Sequence, residues 1–237
     1  MRVLFFIPTY NDRHGLEPLV AELLQAVPDS QVLVVDDGSD PEIALRLEEP
    51  SLGCRTKLTR LDFNVGLGLA TSVALDHFLA ENFDFLVRVD ADGQHPVGEV
   101  RAMISILEGC QADVVWGERL NHMRAGSARE LMATLTKQAT AWAGRWIFRS
   151  RVRDWFTGFF AVNRQAARLA AQAHLERYCE VQMLCIFHAC KLRIETHHIE
   201  QLERAHGKSR IRMVDGAMIV LRSTLMMALY AIRMHPK

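Results

Sequence analysis

The sequence lacks the cysteine pattern of a disulfide-stabilised or zinc-binding protein. It contains five cysteines, an odd number, and they form no C-x-x-C pair. Small secreted domains depend on paired cysteines, whereas thiols stay reduced inside cells. We therefore expect a reducing, cytoplasmic location, in which these side chains act as small, mostly buried apolar groups. They are Cys54, Cys110, Cys179, Cys185 and Cys190.

The sequence also lacks an excess of charge of either sign. Its 237 residues include 28 Lys and Arg and 28 Asp and Glu. A net charge of zero creates no overall attraction for a polyanion. We therefore predict no nucleic-acid partner, and we expect any bound anion to be held by a local cluster of charges.

Long apolar runs and flexible linkers are absent as well. No segment has the roughly 18 consecutive apolar residues of a membrane span. The first residues, MRVLFFIPTYND, lack the length and the cleavage site of a signal peptide. Because no linker rich in Gly, Pro or Ser divides the chain, residues 1–212 are predicted to form a single domain. Residues 213–237 are predicted to add an amphipathic helix whose apolar side suits a membrane interface.

Apolar strands alternate with helices through the first half of the chain. Residues 3–7, 31–36 and 83–90 are apolar runs, while 15–27 and 67–81 have helical character. Continuous apolar strands are typical of a parallel sheet that helices cover on both faces. The second half predicts strands at 113–119, 155–163 and 192–202, helices at 164–174 and 176–191, and a helix that begins with a capping box at Ser127 and Glu130.

Polar residues directly follow three of the predicted strands, where a sheet of this class binds its ligands. They are Thr9–Asp12, Asp36–Asp40 and Asp90–Gln94. Asp90 and Asp92 are two residues apart and point the same way at a strand end. Carboxylates suit Mg²⁺ or Mn²⁺ in company with substrate phosphates. The pattern favours a metal–diphosphate site, and an ordinary Asp-Gly turn is the alternative.

The segment Asn64-x-Gly66-x-Gly68 precedes a predicted helix. Backbone amides at such a helix start can face an anion. The same glycines also fit a tight turn without a ligand, because a short glycine pattern has little specificity. Both interpretations stay open on the sequence alone.

Seven short motifs occur in one order along the chain. They are PTYND (8–12), VVDDGS (34–39), NVGLGLA (64–70), DADGQHP (90–96), GER (117–119), FTGFFAVNR (156–164) and RAHGKSR (204–210). Together they resemble the inverting family-2 glycosyltransferases, and most of all the dolichol-phosphate mannose synthase group. The resemblance implies an α/β GT-A (Rossmann-like) fold with a mixed, mostly parallel central sheet and helices on both faces. It also implies metal-dependent transfer of a hexose, with inversion, from a nucleotide-diphosphate sugar to a polyprenyl phosphate.

The resemblance assigns roles to residues at the motif positions. The implied nucleotide-sugar contacts are Pro8, Tyr10, Asp12, Asp36, Asp37, Asn64, Gly66 and Asp90. Asp92, Asp90 and Gln94 are implied to hold Mg²⁺ or Mn²⁺, with Asp92 the principal ligand. Asp92, Arg119, Arg204 and Lys208 are implied to act in catalysis. Arg145, Arg149 and Glu180 are candidates for the acceptor side, although Glu180 equally fits an exposed helical position.

The chain departs from the family pattern at three motif positions. Asp12 stands where Glu is usual, Glu118 replaces a Ser beside Arg119, and Arg210 replaces a Lys. The first and third changes keep the charge. The second leaves the conformation of the loop after residue 119 open.

Two segments suit a membrane surface. Residues 145–155 interleave arginines with Trp146, Phe148 and Trp155, and residues 217–232 are mostly apolar. Basic residues with aromatic neighbours fit an anionic membrane face, which predicts peripheral attachment. Core packing is the alternative, and the apolar surface of the 127–148 helix also permits a homodimer.

Three other functions are compatible with parts of the sequence. The same fold can glycosylate a soluble saccharide or natural product. A sugar-nucleotide nucleotidyltransferase is disfavoured, since PTYNDRHG is not the Gly-rich basic loop expected after its first strand. A non-catalytic nucleotide-sugar-binding protein is disfavoured by the intact pair Asp90 and Asp92.

Overall fold

A seven-stranded mixed sheet forms the centre of the protein. The computed structural model describes residues 1–12, 15–43, 50–119, 128–176, 179–200 and 215–234. The strands are β1 (Val3–Thr9), β2 (Ser30–Asp36), β3 (Thr56–Arg60), β4 (Phe85–Arg88), β5 (Val114–Arg119), β6 (Phe160–Asn163) and β7 (Ile194–Ile199). The helices are α1 (Leu16–Ala26), α2 (Pro50–Gly53), α3 (Leu67–Ala80), α4 (Gly98–Glu108), α5 (Ala128–Phe148), α6 (Arg164–Ala171), α7 (Cys179–Ala189) and α8 (Asp215–Met234).

The strand order is β3-β2-β1-β4-β6-β5-β7. The first four strands in this order are parallel, and β7 is parallel to β5. Among the described strands, β6 alone runs antiparallel to its neighbours, β4 and β5. The predicted mixed, mostly parallel sheet is therefore confirmed. The carboxyl ends of β1, β2, β4 and β5 meet at one edge of the sheet, as this topology requires.

Apolar clusters cover both faces of the sheet, because successive strand residues point to opposite sides. Phe6 of β1 belongs to the cluster that includes residues of α3, α6 and α7. Phe5 belongs to the other cluster, with residues of α1 and α4. Both rings are fully buried. Strands with two buried faces explain the continuous apolar runs of the sequence.

Several elements differ from the sequence-based expectations. β3 was not predicted, because TKLTR at the sheet edge is only partly buried and contains no apolar run. α4 was also not predicted. The strand expected at 155–163 is formed only by Phe160–Asn163. The preceding residues form turns instead, in which the side chains of Asp154 and Thr157 accept hydrogen bonds from the amides of Phe156 and Phe159.

Helix α8 packs against α5 and α7. Its buried side contributes Ile219, Ser223 and Met227. The opposite side is also apolar and exposes Met218, Leu221, Leu225, Leu229 and Ile232. Among its described side chains, the helix is therefore apolar on two sides, with Arg222 exposed beside them. In the part of the chain that the structure describes, no helix has both the length and the apolarity to cross a membrane.

The cysteines divide into two groups. Cys179 and Cys185 are buried, and burial raises the pKa of both thiols to about 12. Cys54, Cys110 and Cys190 are exposed, so the expectation of mostly buried cysteines is wrong for these three. All three lie at or beyond helix ends, where a small residue is not forced into the core.

Candidate active site

The carboxyl end of β2 places Asp36 below the surface of the site. Its side chain is fully buried, and Oδ1 accepts hydrogen bonds from the amide and the hydroxyl of Ser39. The Ser39 hydroxyl in turn accepts the amide of Asn11 at 2.8 Å. Among the described residues, Oδ2 of Asp36 has no hydrogen-bond partner, and Arg60 lies 3.9 Å away. This buried carboxylate oxygen thus lacks a hydrogen-bond donor among the described residues.

Asp37 organises the loop that precedes α3. Its carboxylate accepts the amides of Val65 and Gly66 at 2.8 and 2.9 Å and the Asn64 side-chain amide at 3.0 Å. The anion that these amides face is therefore Asp37 itself. The predicted use of this loop to bind a ligand anion is wrong for these two amides, because their protons are already engaged.

The segment after β1 lies beside Asp36. Pro8 pairs with Val35 in the sheet and is partly exposed, as are Tyr10 and Asp12. The Thr9 hydroxyl donates to the carbonyl of Asp12 at 2.8 Å, which folds this segment back over the strand end. The structure thus brings the predicted nucleotide-contacting residues of β1 and β2 to one edge.

Asp90 belongs to a buried ion cluster that was not predicted. Arg88 donates to Asp90 Oδ1 from Nε at 3.1 Å and from Nη2 at 2.9 Å. Its Nη1 donates to Glu180 Oε1 at 2.8 Å. Burial alone would lower the pKa of Arg88, but the two carboxylates outweigh this effect and raise it. Burial would raise the pKa of Asp90, but the charge of Arg88 foremost, with a smaller contribution from Arg119, lowers it.

His95 supports the turn that carries the acids. It is buried, and its Nδ1 accepts the amide of Asp90 at 3.2 Å. Burial lowers the pKa of His95, and a neutral ring that accepts at Nδ1 carries its proton at Nε2. The ring stacks on Phe159 with 4.9 Å between centroids. These contacts give His95 a structural role in the turn.

Asp92 and Gln94 lie at the exposed side of the same turn. The Gln94 amide donates to Asp92 Oδ1 at 3.1 Å, and both side chains are partly exposed. Gly93 between them has a φ of +70°, which places this turn in a conformation that favours glycine. No group of three or more potential metal ligands of the types His, Cys, Asp and Glu occurs within the described ranges. The arrangement fits a hard cation that takes only one or two protein carboxylates and completes its shell with phosphate and water.

A second ion cluster lies at the carboxyl end of β5. Arg119 donates from Nε and Nη2 to the two carboxylate oxygens of Asp154, and Lys137 of α5 approaches the same group at 3.5 Å. Asp154 is almost fully buried. Burial lowers the pKa of Lys137, and Asp154 partly offsets this effect. Because two cations share one carboxylate, the cluster is suited to an additional anion.

Glu118 points away from this cluster. It is buried and accepts the amide of Arg153, and its other oxygen lies 3.6 Å from His198 Nδ1. The unusual Glu of the GER motif therefore stabilises the strand end from the opposite side. Arg119 keeps its orientation toward Asp154.

The predicted acceptor residues do not form one group. Glu180 is buried and paired with Arg88, so the exposed-helix interpretation is wrong. Arg145 and Arg149 are exposed, and Arg145 lies about 12 Å along α5 from Lys137 at 1.5 Å per residue. Neither arginine forms an ion pair with a described residue. Arg204 and Lys208 lie outside the described residues.

The predicted aromatic membrane anchors also differ in position. Trp155 is fully buried and stacks on Phe148, so it cannot contact a membrane. Trp146 is 72% exposed and Trp142 65%, and their rings lie 5.8 Å apart.

Three residues of the site were missed in the sequence. Arg88 interrupts the apolar strand FLVRVD, and an internal charge in such a strand is a signal for a buried ion pair. Asp154 directly precedes the predicted strand at 155–163. Lys137 had no local signal, since a lysine on a long helix is usually a solvated residue.

The fold and the strand-end carboxylates define a protein of the GT-A class. Glucosyl-3-phosphoglycerate synthase from Mycobacterium tuberculosis, in a complex with Mn²⁺, uridine-diphosphate-glucose and phosphoglyceric acid, superposes with a TM-score of 0.68. The match covers 99% of this chain and 80% of that protein at 17% identity. It therefore bears on the fold alone.

The sequence comparison then gives the family. Residues 5–168 match glycosyl transferase family 2, and the chain belongs to this family. Polyprenol monophosphomannose synthase of Mycolicibacterium smegmatis is 30% identical over 169 residues, which are 69% of this chain and 62% of that protein. Undecaprenyl-phosphate mannosyltransferase of Micrococcus luteus is 33% identical over 149 residues, 61% and 57% of the two chains. The chain thus spans about six-tenths of these curated relatives, and the predicted family resemblance is confirmed.

Proposed function

We propose that this chain transfers a hexose, with inversion, from a nucleotide-diphosphate sugar to a polyprenyl phosphate, with Mg²⁺ or Mn²⁺ as cofactor. One observation carries the proposal. The acids Asp90 and Asp92 lie at the same sheet edge as the cations Arg119 and Lys137, which share the carboxylate of Asp154. The chain that carries this arrangement is similar to proteins named as polyprenyl-phosphate mannosyltransferases.

The β1–β2 side of the edge takes the nucleotide. Oδ2 of Asp36, which is buried and has no hydrogen-bond partner among the described residues, is the acceptor for a hydrogen bond from the base or the ribose, since a buried acceptor gains most from a ligand donor. Pro8 and Tyr10 line this side. Asp37 acts indirectly, because it fixes the loop at Asn64–Gly66 beside the nucleotide.

Asp92 would be the principal ligand of the divalent cation, with Asp90 and Gln94 in support. When bound, the cation would supply positive charge beside the diphosphate. Arg119 and Lys137 add charge on the β5 side, where they stabilise the leaving diphosphate or hold the incoming phosphate. Arg204 and Lys208 of the RAHGKSR motif add basic groups for the same two phosphates.

The acceptor phosphate is the nucleophile. Its oxygen attacks the anomeric carbon while the bond from that carbon to the diphosphate oxygen breaks, and the nucleoside diphosphate leaves. A phosphate is already anionic near neutral pH, so this step needs no general base. The site must instead hold the donor diphosphate and the acceptor phosphate side by side. Arg119 and Lys137, which share the carboxylate of Asp154, suit this task.

An exposed apolar surface serves as a membrane contact in this proposal. It consists of Trp142 and Trp146 on α5 and the exposed apolar side of α8. Exposed arginines occur near and just beyond the end of α5: Arg145, Arg149, Arg151 and Arg153. Aromatic rings beside cations fit an anionic lipid surface, which is also where a polyprenyl phosphate resides.

Turnover with defined acceptors tests the transfer reaction. We expect nucleoside diphosphate release from one of a panel of nucleotide sugars, only with a divalent cation and a polyprenyl phosphate. Asp92→Asn is expected to lower the rate by about 100-fold or more, because transition-state charge is no longer balanced. Equal release with soluble saccharide acceptors would contradict the lipid assignment. Full metal-dependent activity of Asp92→Asn would contradict the metal assignment.

Vesicle flotation tests the membrane contact. The wild type is expected to float with vesicles that contain anionic lipid, and the double variant Trp142→Ser/Trp146→Ser is expected to remain at the bottom of the gradient. Phe63→Ser removes another ring of similar exposure, 68%, and is expected to float like the wild type. A concentration-dependent dimer that the double variant abolishes, without flotation of either protein, would assign the surface to a second copy instead.

A further inference from the structure

We propose that Arg88 is a positioning residue. It bonds both Asp90 and Glu180 of α7, and it thereby fixes the direction of the Asp90 carboxylate toward the nucleotide sugar. The inference deepens the proposed transfer function and rests on it. Neither the family motifs nor the pattern of the acids assigns a role to this arginine. Its role follows from where its three polar groups point.

The guanidinium of Arg88 is enclosed on all sides. Its side chain is 3% exposed, against 31% for the side chain of Asp90 and 8% for that of Glu180. Residues 88 and 90 are two apart and so point the same way at the strand end. The guanidinium also lies over the ring of Phe160, 5.8 Å from its centroid, on the paired strand β6. The side chain is thus held by packing as well as by charge.

Asp90 is constrained on two sides. Both hydrogen bonds from Arg88 end at Oδ1, while a Cβ at Gly158 would overlap the Asp90 carboxylate. No described residue donates a hydrogen bond to Oδ2. The carboxylate therefore presents one oxygen in a fixed direction. It can contact the nucleotide sugar without first reorienting.

Glu180 fixes the other end of Arg88. It lies in the first turn of α7, where the neighbouring Cys179 thiol is 3.8 Å from Oε2 and 3.5 Å from the hydroxyl of Thr71 on α3. Because this end of α7 is anchored in the core, Arg88 cannot follow Asp90 if the carboxylate moves. An isolated buried guanidinium would be costly, and two carboxylates in well-defined geometry offset that cost.

Lysine cannot replace this geometry. An ammonium is a point charge with no planar fork, so it cannot bond Asp90 twice and Glu180 once in the same plane. Arg88→Lys keeps the buried charge, whereas Arg88→Met removes it at similar volume. The two variants therefore separate the effect of charge from the effect of direction.

Binding and kinetics test the inference. We expect Arg88→Met to raise the Kd for Mn²⁺ with uridine or guanosine diphosphate, whichever the wild type binds, by about 10-fold or more, as removal of a supporting partner commonly does. The KM for the nucleotide sugar is expected to rise in parallel. Arg88→Lys is expected to recover part of the loss. Calorimetric titration and initial rates give these values.

Arg164→Met is the matched control. Arg164 also lies over an aromatic ring, Phe78, and donates to backbone carbonyls at residues 78–83, away from the acids. We expect this variant to lower the thermal midpoint and to leave the Kd and KM unchanged. If Arg88→Met fails to fold, the Kd and KM of Arg88→Lys alone test the inference.

The outcomes separate the two proposals. Wild-type turnover together with unchanged Kd and KM in the folded Arg88 variants overturns the role of Arg88 and leaves the transfer function standing. A wild type that neither turns over any donor nor binds either nucleoside diphosphate with Mn²⁺ overturns both. Raised Kd and KM in the Arg88 variants, with the Arg164 variant unchanged, support the inference.

Discussion

The two sides of the strand-end site hold their acids by different interactions. On the β1–β2 side, Asp36 and Asp37 accept hydrogen bonds from hydroxyl and amide groups. On the β4–β5 side, Asp90 and Asp154 are held by arginines. The first side depends on backbone geometry. The second depends on charges from elements far apart in the chain, such as Arg88 and Glu180, whose positions differ by 92.

This difference predicts different responses to substitution. When an acid held by uncharged donors is replaced, the protein loses a few hydrogen bonds from those donors. An acid between buried cations leaves those cations without compensation, which costs more. Loss of a single carboxylate should therefore reduce the free energy of unfolding more on the β4–β5 side than on the β1–β2 side.

Asp154→Asn should cause the largest loss of stability. The change leaves Arg119 and Lys137, which are only 17% and 22% exposed, without their shared carboxylate. We expect the free energy of unfolding to fall by about 4 kcal/mol. Urea unfolding at neutral pH measures this value.

Arg193→Met provides the comparison for a surface ion pair. Arg193 also bonds an aspartate in two places, but its side chain is 57% exposed. We expect a clearly smaller loss, because water already screens this pair. Equal losses for the two variants would show that burial of the Asp154 cluster contributes nothing to its strength.

His188→Phe should remove part of the pH dependence of stability. His188 packs against both Phe148 and Trp155, and burial lowers its pKa to about 4 from 6.5. Between these pH values the unfolded chain binds a proton that the native protein does not, so stability falls as the pH falls from 6.5 to 4. This lowering of the pKa corresponds to about 3 kcal/mol in the free energy of unfolding. The wild type should lose this amount on acidification, and His188→Phe should not.

Ser150→Ala is the control for this experiment. The Ser150 hydroxyl lies 2.9 Å from His188 Nε2. Its removal leaves the titrating ring in place, so the variant should be less stable at every pH but keep the slope between pH 4 and 6.5. Urea unfolding at several pH values measures both slopes, and identical slopes for wild type and His188→Phe would refute the assignment.

The same contrast explains how much the sequence alone predicts. The parallel strands and the strand-end acids follow from local patterns, because apolar runs and Asp-Gly turns are contiguous. Arg88–Glu180 and Arg119–Asp154 join distant segments, and periodicity carries no information about such pairs. The 155–163 segment shows the limit clearly, since its apolar composition predicts a strand where the Asp154 and Thr157 side chains stabilise turns instead.

Asp37→Ala should have a smaller effect than Asp154→Asn. The change leaves the amides of Val65 and Gly66 without their acceptor, and each lost hydrogen bond costs about 1 kcal/mol. We expect a loss of about 2 kcal/mol in urea unfolding, together with weaker nucleotide binding because the loop is no longer fixed. Unchanged binding with reduced stability would restrict Asp37 to a purely structural role.

Gly158→Ala should have a modest effect on stability and a selective effect on the site. The new methyl group would overlap the Asp90 carboxylate, which must shift away from the direction that Arg88 gives it. We expect a stability loss of about 1–3 kcal/mol from overpacking, with a rise in the KM for the nucleotide sugar. Gly98→Ala meets nothing within 4 Å at the exposed start of α4, so it should stabilise the protein by about 0.5 kcal/mol without changing KM. A KM that moves in both variants, or in neither, would mean that the position of Asp90 over Gly158 does not control donor binding.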